Sequence, residues 1–305
     1  MEIRSVSIVG MGALGVLYGE ILSRYLPEGS LRFVADGARI ERYRRDLVYC
    51  NGEVCRFSYL TPEETGNPAD LLIFAVKFGD LEAAVRAAAN QVGPGTVIIS
   101  LLNGIVSEEV IGRALGAEKV IPAVAQGMDA VKEGNRLTYS RKGVIVFGDR
   151  PGGGAAGQVE AVRRLFEAAG VPHQVASDMR RALWNKFMLN VGVNQAAAVF
   201  GCGYGGLQAE GPARDAMIAA MREALALARL EGVDLNEGDI GDWMKLLGTL
   251  SPEGKPSMLQ DVEARRHSEV GLFAGTVLAL SEAHGIDSPV NRMLYEKIMD
   301  IERDF

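Results

Sequence analysis

The sequence predicts an α/β N-terminal half built on a parallel sheet, followed by an all-helical C-terminal half. Three observations carry that expectation. The hexamer Gly10-Met11-Gly12-Ala13-Leu14-Gly15 sits between a β-rich run and a helical pattern near the start of the chain. Nearly continuous apolar runs then alternate with helical periodicity as far as Ala176, the pattern of parallel strands covered on both faces. From Ser177 onward only helical periodicity remains. At 305 residues the chain exceeds the size at which single cores stop growing, so two domains are expected, 1–174 and 175–305.

Each element follows from local pattern. Ser5 to Val9 is the first strand, and a helix runs from the glycine hexamer to about Leu26. Leu31 to Ala35, Ala69 to Val76 and Val97 to Leu102 read as further buried strands, with Val120 to Ala125 and Val144 to Phe147 after them. Helices are expected over Asp80 to Gln91 and Val106 to Leu115. The loop Pro151-Gly152-Gly153-Gly154 leads into a helix ending at Gly170, and Val171 to Ala176 reads as an edge strand. Five long helices follow, about Asp178–Phe200, Pro212–Glu231, Asp239–Leu250, Val262–His284 and Val290–Arg303. Gly285 after His284 suits a helix C-cap.

Composition narrows the class. Apolar residues make up 48% and charged residues 23%, the proportions of a globular protein. A net charge of −7 argues against a nucleic-acid or anionic-membrane partner, and no segment approaches an uninterrupted membrane span. Residues 5–22 are apolar but carry the glycines and Glu20, which speaks against a signal peptide. Cys50, Cys55 and Cys202 form no CxxC pair, and His173, His267 and His284 are scattered. No metal site is expected, and a reduced, cytoplasmic protein is.

In the hexamer, Gly10 allows a tight turn, Gly12 lets backbone approach a pyrophosphate, and Gly15 lets helix pack close to strand. The helix N-terminus then offers amides and a dipole to the phosphates. This is the dinucleotide-binding fingerprint in its proper context. Asp36, about 20 residues on, could accept hydrogen bonds from an adenosine ribose and would favour NAD. Arg39 and Arg42 lie close enough to reach the 2′-phosphate of NADP. Asp36 reads equally well as the N-cap of a helix over residues 37–46. Lys77 and Asn103 each end a parallel strand, at the edge where such sheets bind ligands.

Lys186, Asn190 and Asn194 recur at four-residue steps among Phe187, Met188, Leu189, Val191 and Val193. On a helix they form one stripe. An ammonium and two carboxamides are expensive to bury unless partnered, so the stripe should line a wet cleft. A half-exposed polar edge facing water is the alternative. His267, two residues from Glu269, points away from it if both lie on one helix, and Cys202 among glycines reads as a small apolar filler.

The chain nearly end to end resembles the ketopantoate reductases. The resemblance rests on GMGALG at 10–15, Val76-Lys77, Leu102-Asn103-Gly104, and Lys186, Asn190 and Asn194. Ser257-Met258-Leu259-Gln260-Asp261, Arg266-His267-Ser268-Glu269, His284-Gly285-Ile286 and Pro289-Val290-Asn291-Arg292 continue it. It implies a Rossmann domain plus a helical domain of the 6-phosphogluconate dehydrogenase type, with the active site in the cleft between them. By that resemblance Lys186 is the general acid, Asn190 and Asn194 bind substrate, and Ser257 contacts the substrate carboxylate. Glu269 supports lysine and cofactor, while Asn103 and Lys77 line the nicotinamide side, Asn103 also reaching substrate. Residues 10–15, Asp36 and Arg39 would hold the rest of the dinucleotide. NADP is the implied cofactor, with NAD opened by Asp36 where many relatives carry a basic residue.

Two further departures are visible. The family's common Glu-x-Asp reads Glu269-Val270-Gly271, and the segment 201–206 lacks an asparagine found in some members. The expected activity is NAD(P)H-dependent reduction of ketopantoate to (R)-pantoate, a step of pantothenate and coenzyme A synthesis. The partner is a small 2-keto acid, and a homodimer is among the assemblies left open. The alternatives are a reductase of another branched 2-keto acid and a dinucleotide sensor without turnover. Lys186, Ser257 and Glu269 together speak against the sensor, which needs only the glycine loop.

Overall fold

In the computed structural model, residues 1–150 and 152–305 are described, so Pro151 of the expected loop lies outside the described residues. The chain divides into two compact units, Met1–Ala182 and Leu183–Phe305. In the first, the order is β1 (Val6–Val9), α1 (Ala13–Tyr25), β2 (Leu31–Val34), α2 (Gly37–Asp46), β3 (Val48–Cys50), β4 (Glu53–Cys55), β5 (Ser58–Leu60), β6 (Leu71–Phe74) and α3 (Leu81–Ala88). Then come β7 (Val97–Ser100), α4 (Ser107–Leu115), β8 (Ala123–Met128), β9 (Val131–Glu133), β10 (Arg136–Thr138), β11 (Lys142–Gly148), α5 (Ala156–Ala169) and β12 (His173–Ala176).

The central sheet is all parallel in the order β5-β2-β1-β6-β7. Its central strands are buried at every position because alternate residues feed two cores. Ile8, Phe33, Ile73 and Ile99 pack with Leu17, Leu22 and Phe166, whereas Val9, Val34, Phe74 and Ile98 pack with Leu81, Val85 and Ile111. The predicted parallel sheet, covered on both faces, is present.

The later strands depart from expectation. β8 and β11 pair antiparallel in a separate sheet, β12-β11-β8, and the parallel bridge Ile98↔Val120, just before β8, links it to β7 of the main sheet. A parallel return needs a long crossover, and between β8 and β11 there is only the antiparallel β9–β10 pair. That pair joins β3 and β4 in a four-stranded sheet, and Asn135 Nδ2 fastens it to the end of α2 through the carbonyls of Asp46 (2.6 Å) and Leu47 (3.1 Å).

The remaining helices are α6 (Met179–Phe200), α7 (Tyr204–Gln208), α8 (Pro212–Leu230), α9 (Glu237–Leu247), α10 (Ser257–Glu263), α11 (Thr276–His284) and α12 (Pro289–Glu302). The division between the two compact units falls inside α6. The reason is packing: Met179 is buried, and a Cβ on Gly148 would stand 2.9 Å from its Cγ, which ties the first turn of α6 to β11. Gly285 ends α11 in the left-handed region at φ 66°.

The expected single helix over Val262–His284 is broken. After α10 the chain turns at Arg265, φ 51°, and re-enters helix only at Val270, with a π-helical turn over Gly271–Gly275 before α11. Ser257 and Glu269 therefore do not share a helix. Capping of the broken end explains the turn. Arg266 Nε donates to Asp261 Oδ1 at 2.9 Å, and the buried Glu302 carboxylate on α12 accepts the Ser268 amide at 2.9 Å.

Candidate functional site

In the first unit the parallel topology brings four predicted features to one sheet edge. Asp36 follows β2, the glycine loop follows β1, Lys77 follows β6 and Asn103 follows β7, in the sheet order β2-β1-β6-β7. The chain leaves β1 for β2 on one side and returns to β6 on the other, so β1/β6 is the switch point where open α/β sheets bind ligands.

The three glycines have separable causes. Gly10 has φ 108°, and a Cβ there would lie 2.4 Å from the Ala75 carbonyl oxygen. A Cβ on Gly15 would lie 1.9 Å from the Gly10 carbonyl oxygen. Both are demanded by the fold itself. Gly12 is not: its φ is −72°, and its Cβ would meet only the Ala75 oxygen at 3.6 Å, an ordinary contact. Gly12 is the N-cap of α1, no side chain caps that helix, and its first turn holds no acid. A side-chain-free approach to uncapped amides fits a pyrophosphate group. Met11 is buried, and Ala13 and Leu14 pack on the main core, so these three complete the loop without polar chemistry of their own.

Asp36 is the N-cap of α2: Oδ1 accepts the Arg39 amide at 2.9 Å, and Oδ2 lies 3.3 Å from Arg39 Nε. Arg39 is thus folded onto Asp36, and both are exposed. Arg42 lies against the Tyr43 ring, its Cζ 5.4 Å from the centroid. Lys77 is exposed and its carbonyl accepts the Asp80 amide at 3.0 Å. Asn103 is half-buried and precedes Gly104 at φ 88°. In the same loop, Ser100 and Ser107 hydroxyls meet at 2.8 Å, and Ser107 donates to the Glu108 carboxylate at 3.0 Å, a half-buried residue whose carboxyl burial pushes upward in pKa.

The second unit carries the stripe. Lys186 is half-buried, and Asn190 and Asn194 are buried, 8% and 7% exposed, so this is not a solvated helix edge. Asn194 Nδ2 donates to Asn190 Oδ1 at 3.3 Å, and Asn194 Oδ1 accepts from Ser257 Oγ at 3.0 Å and from the Met258 amide at 3.2 Å. Sequence reasoning missed the Met258 amide; Pro256 at the α10 N-cap, which has no side-chain acceptor, is the signal that could have found it. Neighbours hold α6 in place: Trp243 Nε1 donates to Asn185 Oδ1 at 2.7 Å, and Gln195 Nε2 to Asn291 Oδ1 at 3.0 Å.

Burial pulls the Lys186 amine down from 10.5 to about 8, against the Glu269 carboxylate, which acts in the opposite sense. Glu269 is half-buried and its carbonyl accepts the amides of Leu272 (2.9 Å) and Phe273 (3.2 Å), fixing it at the start of the helical re-entry. The structure thus brings Lys186, Asn190, Asn194, Ser257 and Glu269 together on the second unit. Asp36, Arg39, the glycine loop, Lys77 and Asn103 belong to the first. His267 is exposed and faces Glu302 at 3.3 Å. Cys202 would crowd a Cβ on Gly206 at 2.6 Å, a packing role.

The glycine loop with its uncapped helix amides on the first unit, and the depressed lysine among carboxamides on the second, are each features that a dinucleotide-dependent ketone reductase uses. Comparison with known proteins gives the particular family. The model for ketopantoate reductase PanE/ApbA matches residues 6–152, and that for the C terminal part of ketopantoate reductase PanE/ApbA matches residues 178–302. The chain belongs to the ketopantoate reductase family. It is 26% identical to a 2-dehydropantoate 2-reductase of Archaeoglobus fulgidus over 305 residues, covering 99% of each chain. A PanE/ApbA family ketopantoate reductase from Ralstonia eutropha is 26% identical, with a TM-score of 0.85 over 98% of this chain and 99% of that one. A D-mandelate dehydrogenase, solved with NADH and anilino(oxo)acetate, shares the fold at 18% identity and a TM-score of 0.88, over 98% and 99% of the two chains. No helix among the described residues is long and apolar enough to cross a membrane.

Proposed function

We propose that this protein reduces 2-dehydropantoate to (R)-pantoate with a nicotinamide dinucleotide as reductant. The observation that carries the reading is the α6 stripe of Lys186, Asn190 and Asn194, tied to Ser257 through Asn194, with burial bringing the Lys186 amine down to about 8. When bound, the dinucleotide supplies the hydride. Residues 10–15 would hold its pyrophosphate through the α1 amides, with Asp36, Arg39, Lys77, Asn103 and Glu269 as its other contacts. Lys186 polarises the ketone oxygen and delivers the proton that the developing alkoxide needs. Asn190, Asn194, Ser257 and Asn103 form the substrate-binding set, carboxamides and a hydroxyl that match the oxygens of a polyol-like keto acid without adding charge. NADP and NAD are both accommodated in this reading, because Asp36 and Arg39 occupy the same corner. The domains are taken as 1–174 and 175–305, a homodimer is the assembly to test by sedimentation, and three free thiols suit the cytoplasm.

A second reading keeps the chemistry and changes the substrate to another branched 2-keto acid. The Glu-x-Asp that the family resemblance implies reads Glu269-Val270-Gly271 in this chain, which supports it. Steady-state assays with a panel of 2-keto acids against NADH and NADPH decide. The highest kcat/KM on ketopantoate is expected; a higher value on another 2-keto acid selects the second reading, and no turnover on any would overturn both.

A further inference from the structure

We infer that Asn194, beyond its place in the substrate-binding set, fixes the hydrogen-bond polarity of Asn190, so that Asn190 presents N–H donors rather than a carbonyl oxygen to the substrate. The inference rests on the reductase reading above and deepens it. It starts from a backbone group whose polarity cannot change. The Met258 N–H can only donate, so the Asn194 atom 3.2 Å from it must be the carbonyl oxygen. That fixes the orientation of the Asn194 amide.

The rest follows in sequence. Ser257 Oγ lies 3.0 Å from the same oxygen, so its hydroxyl must donate there, and its single proton is spent. Ser257 Oγ then meets a ligand as an acceptor, suited to a substrate hydroxyl and not to the substrate carboxylate that the family resemblance implies. On the other side, Asn194 Nδ2 faces Asn190 Oδ1 at 3.3 Å. Both Asn190 N–H groups are thereby turned from Asn194. Lys186 stands one turn earlier on the same stripe. An amine and a carboxamide N–H on one line make a pair of donors for one oxygen, and it is the ketone oxygen that gains charge during reduction.

The arrangement has an independent structural reason. α10 begins after Pro256, which has no side-chain acceptor for its first-turn amides, and Asn194 reaches across from α6 to supply one. The cap of one helix thus sets the polarity of another's side chains.

Asn194→Asp separates the two jobs. Aspartate still accepts from Met258 and Ser257 but cannot donate to Asn190, whose carboxamide must reverse. The expected result is a melting temperature within about 2 °C of wild type, while Asn194→Ala, lacking the cap, melts several degrees lower. For the preferred 2-keto acid, kcat/KM of Asn194→Asp should fall at least about 30-fold, with KM for the dinucleotide within about two-fold. The loss should be equal at pH 6 and pH 9. A loss that disappears at pH 6, or a kcat/KM within about three-fold of wild type, overturns the inference. The melting comparison reads the capping arm on unliganded protein, so it stands or falls separately from the reductase reading.

Discussion

Gly10 and Gly15 approach so closely that a methyl group on Gly15 would stand 1.9 Å from the Gly10 carbonyl oxygen, whereas Gly12 between them meets nothing tighter than 3.6 Å. Folding requires the outer pair. Gly12 has no such duty.

The two kinds of glycine should therefore fail differently. Gly15→Ala is expected to lose more than about 3 kcal/mol of stability or not to fold, since backbone must move to admit the methyl. Gly12→Ala should stay within about 0.5 kcal/mol of wild type by thermal melting, because its φ suits alanine. Its dinucleotide Kd should rise at least about ten-fold, or about 1.4 kcal/mol. Unchanged affinity in Gly12→Ala would remove the pyrophosphate from this loop.

Lys186→Ala should lower kcat by at least about 100-fold with little change in dinucleotide affinity. The wild-type rate should be flat below, and fall above, about pH 8, the value to which burial brings this amine, because the acid must be protonated. Glu269 acts to raise that value, so Glu269→Gln should move the falling limb to lower pH. A limb that stays in place with Glu269→Gln separates the carboxylate from the lysine.

The same depressed amine carries a stability cost. The unfolded chain holds its proton up to about 10.5 and the folded chain only to about 8, so the cost is complete below pH 8 and disappears as pH rises towards 10.5. At neutral pH it amounts to about 3 kcal/mol. Lys186→Met should consequently melt higher than wild type at pH 7, by an increment that vanishes near pH 10.5. A lower melting point at pH 7 would mean that the ammonium is held by more favourable contacts than its burial costs.

Asp36→Ser should raise kcat/KM for NADPH relative to NADH, because serine keeps the α2 cap and removes the carboxylate that Arg39 now faces at 3.3 Å. Stability should change by less than about 1 kcal/mol, the pair being exposed. A wild-type preference for NADPH above about 1000-fold, or about 4 kcal/mol, would show that the arginines already dominate.

Strands of four or more mostly apolar residues were legible, because runs such as Val6–Val9 and Leu71–Phe74 have the composition of buried strands. β3, β4, β5, β9 and β10, three residues each, are too short to show a period. The antiparallel pairing of β8 with β11 is a property of the connection, not of either strand. In the helical half the stripe of Lys186, Asn190 and Asn194 was readable from spacing alone. The break between Ser257 and Glu269 was not, since neither glycine nor proline marks it. The run Ala264-Arg265-Arg266-His267 does interrupt the apolar stripe, and the bonds that close the turn come from Asp261 and from Glu302, 34 residues beyond Ser268. Partners that distant leave no local trace.

The strand order has an evolutionary corollary. Asp36 and Asn103 follow strands separated by two others, three intervals of the sheet and so roughly 14 Å. At that range substitutions add nearly independently. With the nucleotide and substrate held at these corners as proposed, selection can exchange one nucleotide for another at the β2 corner, generation by generation, while the Asn103 corner drifts towards a new substrate, and neither change has to wait for the other.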